Sequence, residues 1–284
     1  MELRQSSPDS RLLSQYRALF ATCFPDATHL DEAYLAWLYE ANPSGHVVGF
    51  DAWDGDVLAA HYVCVPAEAM LHGKPSRVLL SLNTATAPSY QGKGLFTKLA
   101  NATYARGAEL GFDAVYGVAN ANSTPGFVKK LGFELLTPLD AAVGVGRLPL
   151  VSIAAAREAA EFSRAWDQAS LEWRSRNPAR PYRLVRSGDR IGAEAATGRL
   201  GLKAWAELDD ADPGAPRLPS PSLGLHLQLG LIPDAARTRR TGWMDVPDRF
   251  RTSPLNLIFK PLAVDTSTPR SGAIFFGQMD FDAF

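Results

Sequence analysis

The sequence of 284 residues has few of the residues that build metal sites or disulfide frameworks. Its two cysteines, Cys23 and Cys64, can form at most one disulfide and cannot build a four-cysteine zinc site. The five histidines show no paired metal-ligand spacing. We therefore expect a protein that holds no metal and works in a reducing compartment, the cytoplasm.

Long apolar runs and an excess of one charge are also missing. Without a run of about 18 apolar residues or an apolar core near the N-terminus, the sequence predicts neither a membrane span nor a signal peptide. Basic residues number 29 and acidic residues 30, which argues against nucleic acid as the main partner. Hydrophobic residues make up 46% of the chain, enough to bury a core, and the length indicates two domains or one large one.

Changes in hydrophobic period predict the order of elements in the first half. Apolar residues at helical spacing indicate one helix before Pro25 and a second over residues 31–40. Antiparallel strands are predicted over residues 47–87, and strand and helix alternate after Gly94. This order predicts an α/β fold with a mixed sheet.

The second half contains a weaker copy of this pattern. Trp173 and Asn177 are placed much as Trp37 and Asn42 are in the first half, and each pair precedes a strand, a glycine-containing turn and another strand. We interpret the similarity as an internal duplication.

Three segments of the second half have local patterns of their own. The alanine-rich residues 150–170 are predicted to be helical. The proline-rich residues 209–221 are predicted to be neither helix nor sheet interior. The acidic end of the chain, beginning at Asp280, is expected to fray.

The strongest chemical signal is the segment Gln91-Gly92-Lys93-Gly94, between a predicted strand and a predicted long helix. Glycines let the backbone approach a ligand closely, and the start of a helix offers unpaired N–H groups that favour phosphate oxygens. An ordinary glycine turn into a helix is the alternative. The spacing fits neither a P-loop nor a dinucleotide-binding fingerprint.

This segment resembles the acyl-CoA motif of the GCN5-related N-acetyltransferase (GNAT) superfamily. Gln91 to Leu95 match that motif, with Phe96 in place of its final small residue. Downstream, Asn122 and residues 127–133 resemble the second family motif, an asparagine followed by a helix that ends in Lys-Leu-Gly-Phe.

The resemblance implies an α/β GNAT fold with a mixed, splayed central sheet, followed by a second, degenerate GNAT-like half. Residues 1–148 would bind acyl-CoA, and residues 149–284 would lack the pyrophosphate loop and complete the acceptor cleft. The implied activity moves an acetyl or short acyl group from acyl-CoA to the primary amine of a small molecule, by direct attack in a ternary complex. No membrane or nucleic-acid partner is expected, and the protein would be a monomer or a homodimer.

The identity of the acceptor stays open at this point. The tandem layout is similar to GNAT proteins of bacterial polysaccharide pathways, which suggests a nucleotide-linked amino sugar. Other small amines, such as an antibiotic, a polyamine or an amino-acid-like metabolite, are the alternative. A non-catalytic acyl-CoA sensor is a third interpretation.

The resemblance also implies which residues bind the cofactor. Loop amides would hold the pyrophosphate, and the splayed strand end would pair with the pantetheine arm and polarise the thioester carbonyl. Asn122 could instead cap a helix, and the two phenylalanines could simply pack the core. The implied cofactor-binding residues are Thr84, Ala85, Thr86, Gln91, Gly92, Lys93, Gly94, Leu95, Phe96, Thr97, Asn122 and Phe127.

The residues that move protons in many family members are missing here. Val128 stands where many members have a tyrosine that protonates the leaving thiolate, and residues 78, 80 and 82 are apolar where some have a base. His61 and Asn83 are the catalytic candidates that remain in the first half. The alternatives are a histidine on a strand face and a polar group satisfied beside a strand irregularity.

Overall fold

The computed structural model describes residues 1–210, 218–239, 242–251 and 253–281. The α-helices are α1 (Ser10–Cys23), α2 (Glu32–Tyr39), α3 (Leu95–Glu109), α4 (Thr124–Leu131), α5 (Ile153–Glu158) and α6 (Gln168–Ser175). The strands are β1 (Glu2–Gln5), β2 (Val48–Asp54), β3 (Val57–Leu71), β4 (Lys74–Thr86), β5 (Ala114–Ala119), β6 (Glu134–Pro138), β7 (Asp140–Gly144), β8 (Phe162–Arg164), β9 (Arg183–Ser187), β10 (Arg190–Ala196), β11 (Leu202–Asp210), β12 (Leu225–Gly230), β13 (Trp243–Asp245), β14 (Asn256–Pro261) and β15 (Ile274–Phe275).

The chain divides into two compact units, each assembled from separate segments. The first unit comprises Met1–Glu68, Ser76–Leu135 and Ile258–Thr268. The second unit comprises Ala69–Pro75, Leu136–Leu257 and Pro269–Phe284. The predicted boundary at residue 148 and the roles given to the two halves stay predictions.

The first two helices follow the apolar pattern that predicted them. The Asp9 side chain caps α1 by accepting a hydrogen bond from the Arg11 amide. The apolar stripe of α1 is buried, and full burial of one such side chain stabilises the fold by about 2 kcal/mol. Asp31 caps α2 in the same way by accepting from the Tyr34 amide.

The sheet that contains β4 and β5 opens between these two parallel strands. Its strand order is β1-β2-β3-β4-β5-β14-β6, and β4 pairs with β5 only from Val78 against Ala114 to Leu80 against Tyr116. Beyond these positions, β4 runs on to Thr86 and β5 to Ala119 without pairing to each other. The helix α3 links the two strands, so the splayed central sheet that the resemblance implied is present.

The second unit repeats this arrangement with fewer elements. Its strand order is β9-β10-β11-β12-β7-β13, so β9 to β12 correspond to β2 to β5. The parallel strands β11 and β12 pair at Leu202 to Ala204 and then separate. An Asp-capped helix precedes each set, α6 in this unit and α2 in the first. The repetition confirms the degenerate GNAT-like second half.

Two predictions for the second unit are wrong in detail. The alanine-rich residues 150–170 are not one helix, because β8 interrupts them and pairs with Ala69–Leu71 of β3, far away in sequence. β11 continues through Asp210 into the proline-rich segment, and the Asp210 carboxylate accepts hydrogen bonds from the Ile153 and Ala154 amides. Residues 211–217 of that segment lie outside the described residues.

The expected fraying at Asp280 is also wrong. Asp280 is 7% exposed and its carboxylate accepts from Trp166 Nε1 at 2.9 Å and from the Gly277 amide at 2.6 Å. Phe281 is buried against Phe276. Residue 282 lies outside the described residues.

None of the described helices is both long enough and apolar enough to cross a bilayer. Cys23 and Cys64 are both free thiols. Burial raises the pKa of the Cys64 thiol to about 12, so this side chain behaves as a small apolar residue.

Candidate active site

The glycine segment forms a turn that only glycine adopts easily. Gly92 and Gly94 have φ values of 75° and 71°, in the left-handed region. A Cβ atom at either position would meet no atom within 4 Å. The backbone conformation, and not crowding, therefore accounts for glycine at both positions.

The same turn leaves a run of backbone amides without acceptors. Gly94 is the N-cap of α3 and has no side chain with which to cap it. No described residue accepts a hydrogen bond from the amides of residues 92–97, and the Lys98 amide is the first to bond, to the Gly94 carbonyl at 3.2 Å. Such amides at the positive end of a helix form an anion site of the kind that holds a diphosphate.

The carboxyl end of β4 lies next to this turn in the chain. The Thr86 carbonyl accepts from Gln91 Nε2 and from Cys23 Sγ, both at 3.4 Å. Because β4 and β5 have separated here, the backbone of Thr84 and Ala85 has no strand partner on the β5 side. An extended ligand can pair with such an edge as an added strand would.

Lys93 adds a positive charge beside the free amides. Its Nζ lies 4.5 Å from the centroid of the Tyr90 ring, a cation–π distance. Tyr90 in turn donates to Asp54 Oδ2 at 2.9 Å, and this hydrogen bond raises the pKa of Tyr90. Contact of Lys93 with a bound anion stays a prediction.

The structure answers questions that the sequence left open for three of the predicted cofactor residues. Phe127 is buried and meets the Phe96 ring edge-on at 5.4 Å between centroids, so both pack α3 and α4 together. Asn122 does not cap α4, because Ser123 is its N-cap, so the predicted capping role is wrong. Asn120 Oδ1 instead accepts hydrogen bonds from the amides of residues 122 and 123. Contact of these residues with a cofactor stays a prediction.

The two catalytic candidates belong to one buried chain of hydrogen bonds. His61, with 0% of its surface exposed, places Nδ1 at 2.7 Å from Asp51 Oδ1 and Nε2 at 2.8 Å from the Tyr39 hydroxyl. Asn83 donates from Nδ2 to the same hydroxyl at 3.1 Å. Because His61 is fully buried, it can influence a ligand only indirectly, through the hydrogen bonds of Tyr39 and Asn83.

Further donors converge on Asp51 at the buried end of this chain. Asp51 is 1% exposed, and its two oxygens accept from Ser6 Oγ and from the Tyr16 hydroxyl, each at 2.7 Å. The Tyr16 oxygen itself accepts from the Ser7 amide at 3.2 Å, which leaves its proton for Asp51. Burial raises the pKa of Tyr16 and that of Tyr39, so both remain neutral phenols at neutral pH.

Asn83 stands where the chain of hydrogen bonds reaches the opening in the sheet. It is half-buried, lies on β4 beyond the last residue paired with β5, and has a φ of 50°. Few residues other than glycine and asparagine adopt this conformation without strain. Sequence reasoning identified His61 and Asn83 but missed Tyr39 and Asp51; a lone carboxylate inside the apolar strand β2 was the available signal.

A second buried tyrosine network lies in the same unit. The Tyr62 hydroxyl is 2.6 Å from the Tyr104 hydroxyl and 2.7 Å from Ser81 Oγ. Burial raises the pKa of both tyrosines. No hydrogen bond among the described residues joins this network to Asn83, so it offers a matched comparison for the first one.

Within the described part of the chain, no group of three or more His, Cys, Asp or Glu side chains is arranged to hold a metal ion.

Comparison with known proteins agrees with this geometry. The family model described as an acetyltransferase (GNAT) domain matches residues 7–136. No curated protein sequence matches the chain significantly.

Solved structures share the fold over both units. Eis1 from Mycobacterium abscessus gives a TM-score of 0.62 at 11% identity, covering 93% of this chain and 75% of its own. A GCN5-related N-acetyltransferase from Anabaena variabilis gives 0.59 at 11%, covering 93% and 74%. A probable N-acyltransferase from Enterococcus faecalis gives 0.55 at 12%, covering 92% and 72%. At these identities the likeness concerns the fold alone.

The splayed sheet, the glycine turn and the family match together support an acyl-CoA-dependent N-acyltransferase domain over residues 7–136. The family match covers residues 7–136, which form a GNAT acetyltransferase domain.

Proposed function

We propose that this protein transfers an acetyl or short acyl group from acyl-CoA to the primary amine of a small molecule. The observation that carries the proposal is the juxtaposition of free amides over residues 92–97 with the unpaired end of β4. The amides would bind the pyrophosphate of acyl-CoA, and residues 84–86 would pair with its pantetheine arm. A peptide N–H at this strand end would polarise the thioester carbonyl.

The reaction then needs little beyond orientation. The neutral amine nitrogen attacks the thioester carbon, the new C–N bond forms, and the C–S bond breaks to release the CoA thiolate. The nitrogen gives up one proton to water and the thiolate takes up one, so that an amide and free CoA result. Holding both substrates in one complex supplies much of the acceleration.

The acceptor that we propose to test first is a nucleotide-linked amino sugar, because of the tandem layout of the sequence. The remaining small amines form the comparison set: an antibiotic with a primary amine, a polyamine and an amino-acid-like amine. Steady-state thiol release from acetyl-CoA, measured with each amine in turn, ranks them by kcat/KM. Turnover with the nucleotide sugar at least about tenfold above the others supports that acceptor, a ratio that corresponds to 1.4 kcal/mol.

A non-catalytic acyl-CoA sensor remains the second candidate, and Val128 in place of the family's tyrosine is the observation that favours it. The two functions separate in one experiment. Calorimetric binding of CoA together with thiol release on any amine supports the enzyme. Binding of CoA without turnover on every amine supports the sensor.

A further inference from the structure

With a neutral imidazole at His61, the buried hydrogen bonds from Asp51 to Asn83 all run in one direction. An ionised carboxylate only accepts hydrogen bonds, and Asp51 already accepts from Ser6 and Tyr16. The His61 nitrogen that faces it, Nδ1, must therefore carry a proton. In a neutral imidazole the other nitrogen, Nε2, is then an acceptor.

The hydrogen bonds keep this direction through Tyr39 to Asn83, at the opening between β4 and β5. Because Nε2 of His61 accepts, the Tyr39 hydroxyl donates its proton there at 2.8 Å. The Tyr39 oxygen is then an acceptor, and the group of Asn83 that faces it at 3.1 Å must be the amide NH2. The carboxamide oxygen, Oδ1, is thereby turned away from the chain.

Asn83 Oδ1 is left as an acceptor at the opening of the sheet. No described residue donates a hydrogen bond to it, and Asn83 directly precedes the strand end over residues 84–86. A ligand N–H that binds there can donate a hydrogen bond to this oriented oxygen, and an amine nucleophile carries such an N–H.

We propose that Asn83 Oδ1 accepts an N–H of the acceptor amine, and that Asp51, His61 and Tyr39 are positioning residues that fix the direction of this hydrogen bond. The inference rests on the proposed function and adds to it the recognition of the nucleophile. The hydrogen bond leaves the nitrogen lone pair free to attack the thioester carbon. The carboxamide is not basic and takes no proton; the proton leaves to water as described above.

The direction can be tested without any turnover. In protein labelled with 15N at histidine, at a pH near 7.5, His61 is expected as the neutral Nδ1–H tautomer. An Nε2–H tautomer or an imidazolium would make Tyr39 an acceptor from His61, reverse the chain, and overturn the inference. This readout does not depend on whether the protein is an enzyme.

The contact with the amine is tested by kinetics with two deletions. Asn83→Gly keeps the left-handed backbone and removes the carboxamide, and Tyr39→Phe removes the hydroxyl that orients it. We expect kcat/KM for the amine to fall about tenfold in Asn83→Gly, as loss of one neutral hydrogen bond predicts, and about threefold to tenfold in Tyr39→Phe. The KM for acetyl-CoA stays within about twofold of the wild-type value, since the pyrophosphate loop is untouched.

The double variant Tyr39→Phe/Asn83→Gly separates positioning from general damage. If Tyr39 acts only through Asn83, the double variant has the same kcat/KM for the amine as Asn83→Gly alone. Tyr104→Phe, which removes another buried hydroxyl, is the matched control and is expected to leave this value within about twofold. Additive losses, or a loss in Tyr104→Phe equal to that in Tyr39→Phe, would overturn the assignment.

Failure of the proposed function looks different from failure of this inference. Wild-type protein that binds CoA but acylates no amine contradicts the proposed function and with it the contact at Asn83. Wild-type protein that acylates an amine, with Asn83→Gly equally active, contradicts only the inference.

Discussion

Both units contain a splayed pair of parallel strands, but different parts of the chain lie at the two openings. In the first unit, β4 and β5 separate after Leu80, and the turn that follows presents free amides. In the second unit, β11 and β12 separate after Ala204, and the end of the chain occupies the opening: Gln278 Nε2 donates to the Leu227 carbonyl, and Phe276 pairs with Leu231.

An opening in the sheet therefore does not by itself supply free amides for an anion. The first unit adds α3, whose N-terminus supplies the amides, whereas no described residue between β11 and β12 belongs to a helix. A cavity of the second unit is lined instead by Gly277, Met279 and Asp280 of the chain's own end, together with side chains of β11. The second opening is therefore part of a core, and we expect it to govern stability and not cofactor affinity.

The largest effect should follow from emptying the second opening. Phe276 is 2% exposed and contacts the rings of Phe162 and Phe281. Phe276→Ala is expected to lower the free energy of unfolding by about 3–5 kcal/mol in urea titrations, and Phe276→Leu by about 1 kcal/mol. CoA affinity should stay within about twofold in Phe276→Leu, which remains folded. A large loss of CoA affinity in that variant would break the comparison.

A smaller effect should follow from a charge at the first opening. Gly94→Asp and Gly94→Asn both fit a left-handed position and have nearly the same shape, so that they differ by one negative charge. We expect CoA to bind about tenfold more weakly to Gly94→Asp than to Gly94→Asn in calorimetry, because the carboxylate repels the pyrophosphate. The ratio should shrink with added salt. Equal affinities of the two variants would contradict the role of the turn.

The smallest effect concerns His226, which lies on β12 within the paired rows before the second opening. It stacks on Trp205 at 4.5 Å, and burial lowers its pKa. A histidine whose folded pKa lies below its unfolded value stabilises the fold less as pH falls below about 6.5. Wild-type stability should therefore decline between pH 7 and pH 5 more steeply than that of His226→Gln, by less than the ~1.4 kcal/mol per pH unit of one full proton. If the unfolding free energies of the two proteins, from urea titrations, depended equally on pH, the lowered pKa of His226 would be contradicted.

Much of the first opening could be predicted from the sequence because its signals are local. The glycines at positions 92 and 94 and the apolar stripe of α3 are neighbours in the chain, and each element depends on residues a few positions away. The resemblance to a family motif then supplied the chemistry. The family match over residues 7–136 agrees with this resemblance, so a short motif was enough to indicate the domain.

The rest depends on contacts between distant residues. The strand β8 forms inside an alanine-rich segment because residues 69–71 pair with it, and no local pattern reveals that partner. Asp280 is buried because Trp166, more than a hundred positions earlier, donates to its carboxylate. The hydrogen bonds from Asp51 to Asn83 likewise join side chains from three strands and a helix end, so periodicity could find these residues but not their connection.

The most direct measurement is a crystal structure of the protein with acetyl-CoA. We expect the diphosphate within hydrogen-bond distance of the amides of residues 92–97, and the pantetheine arm paired with the backbone of residues 84–86. Acetyl-CoA bound elsewhere, with those amides still free, would contradict the account.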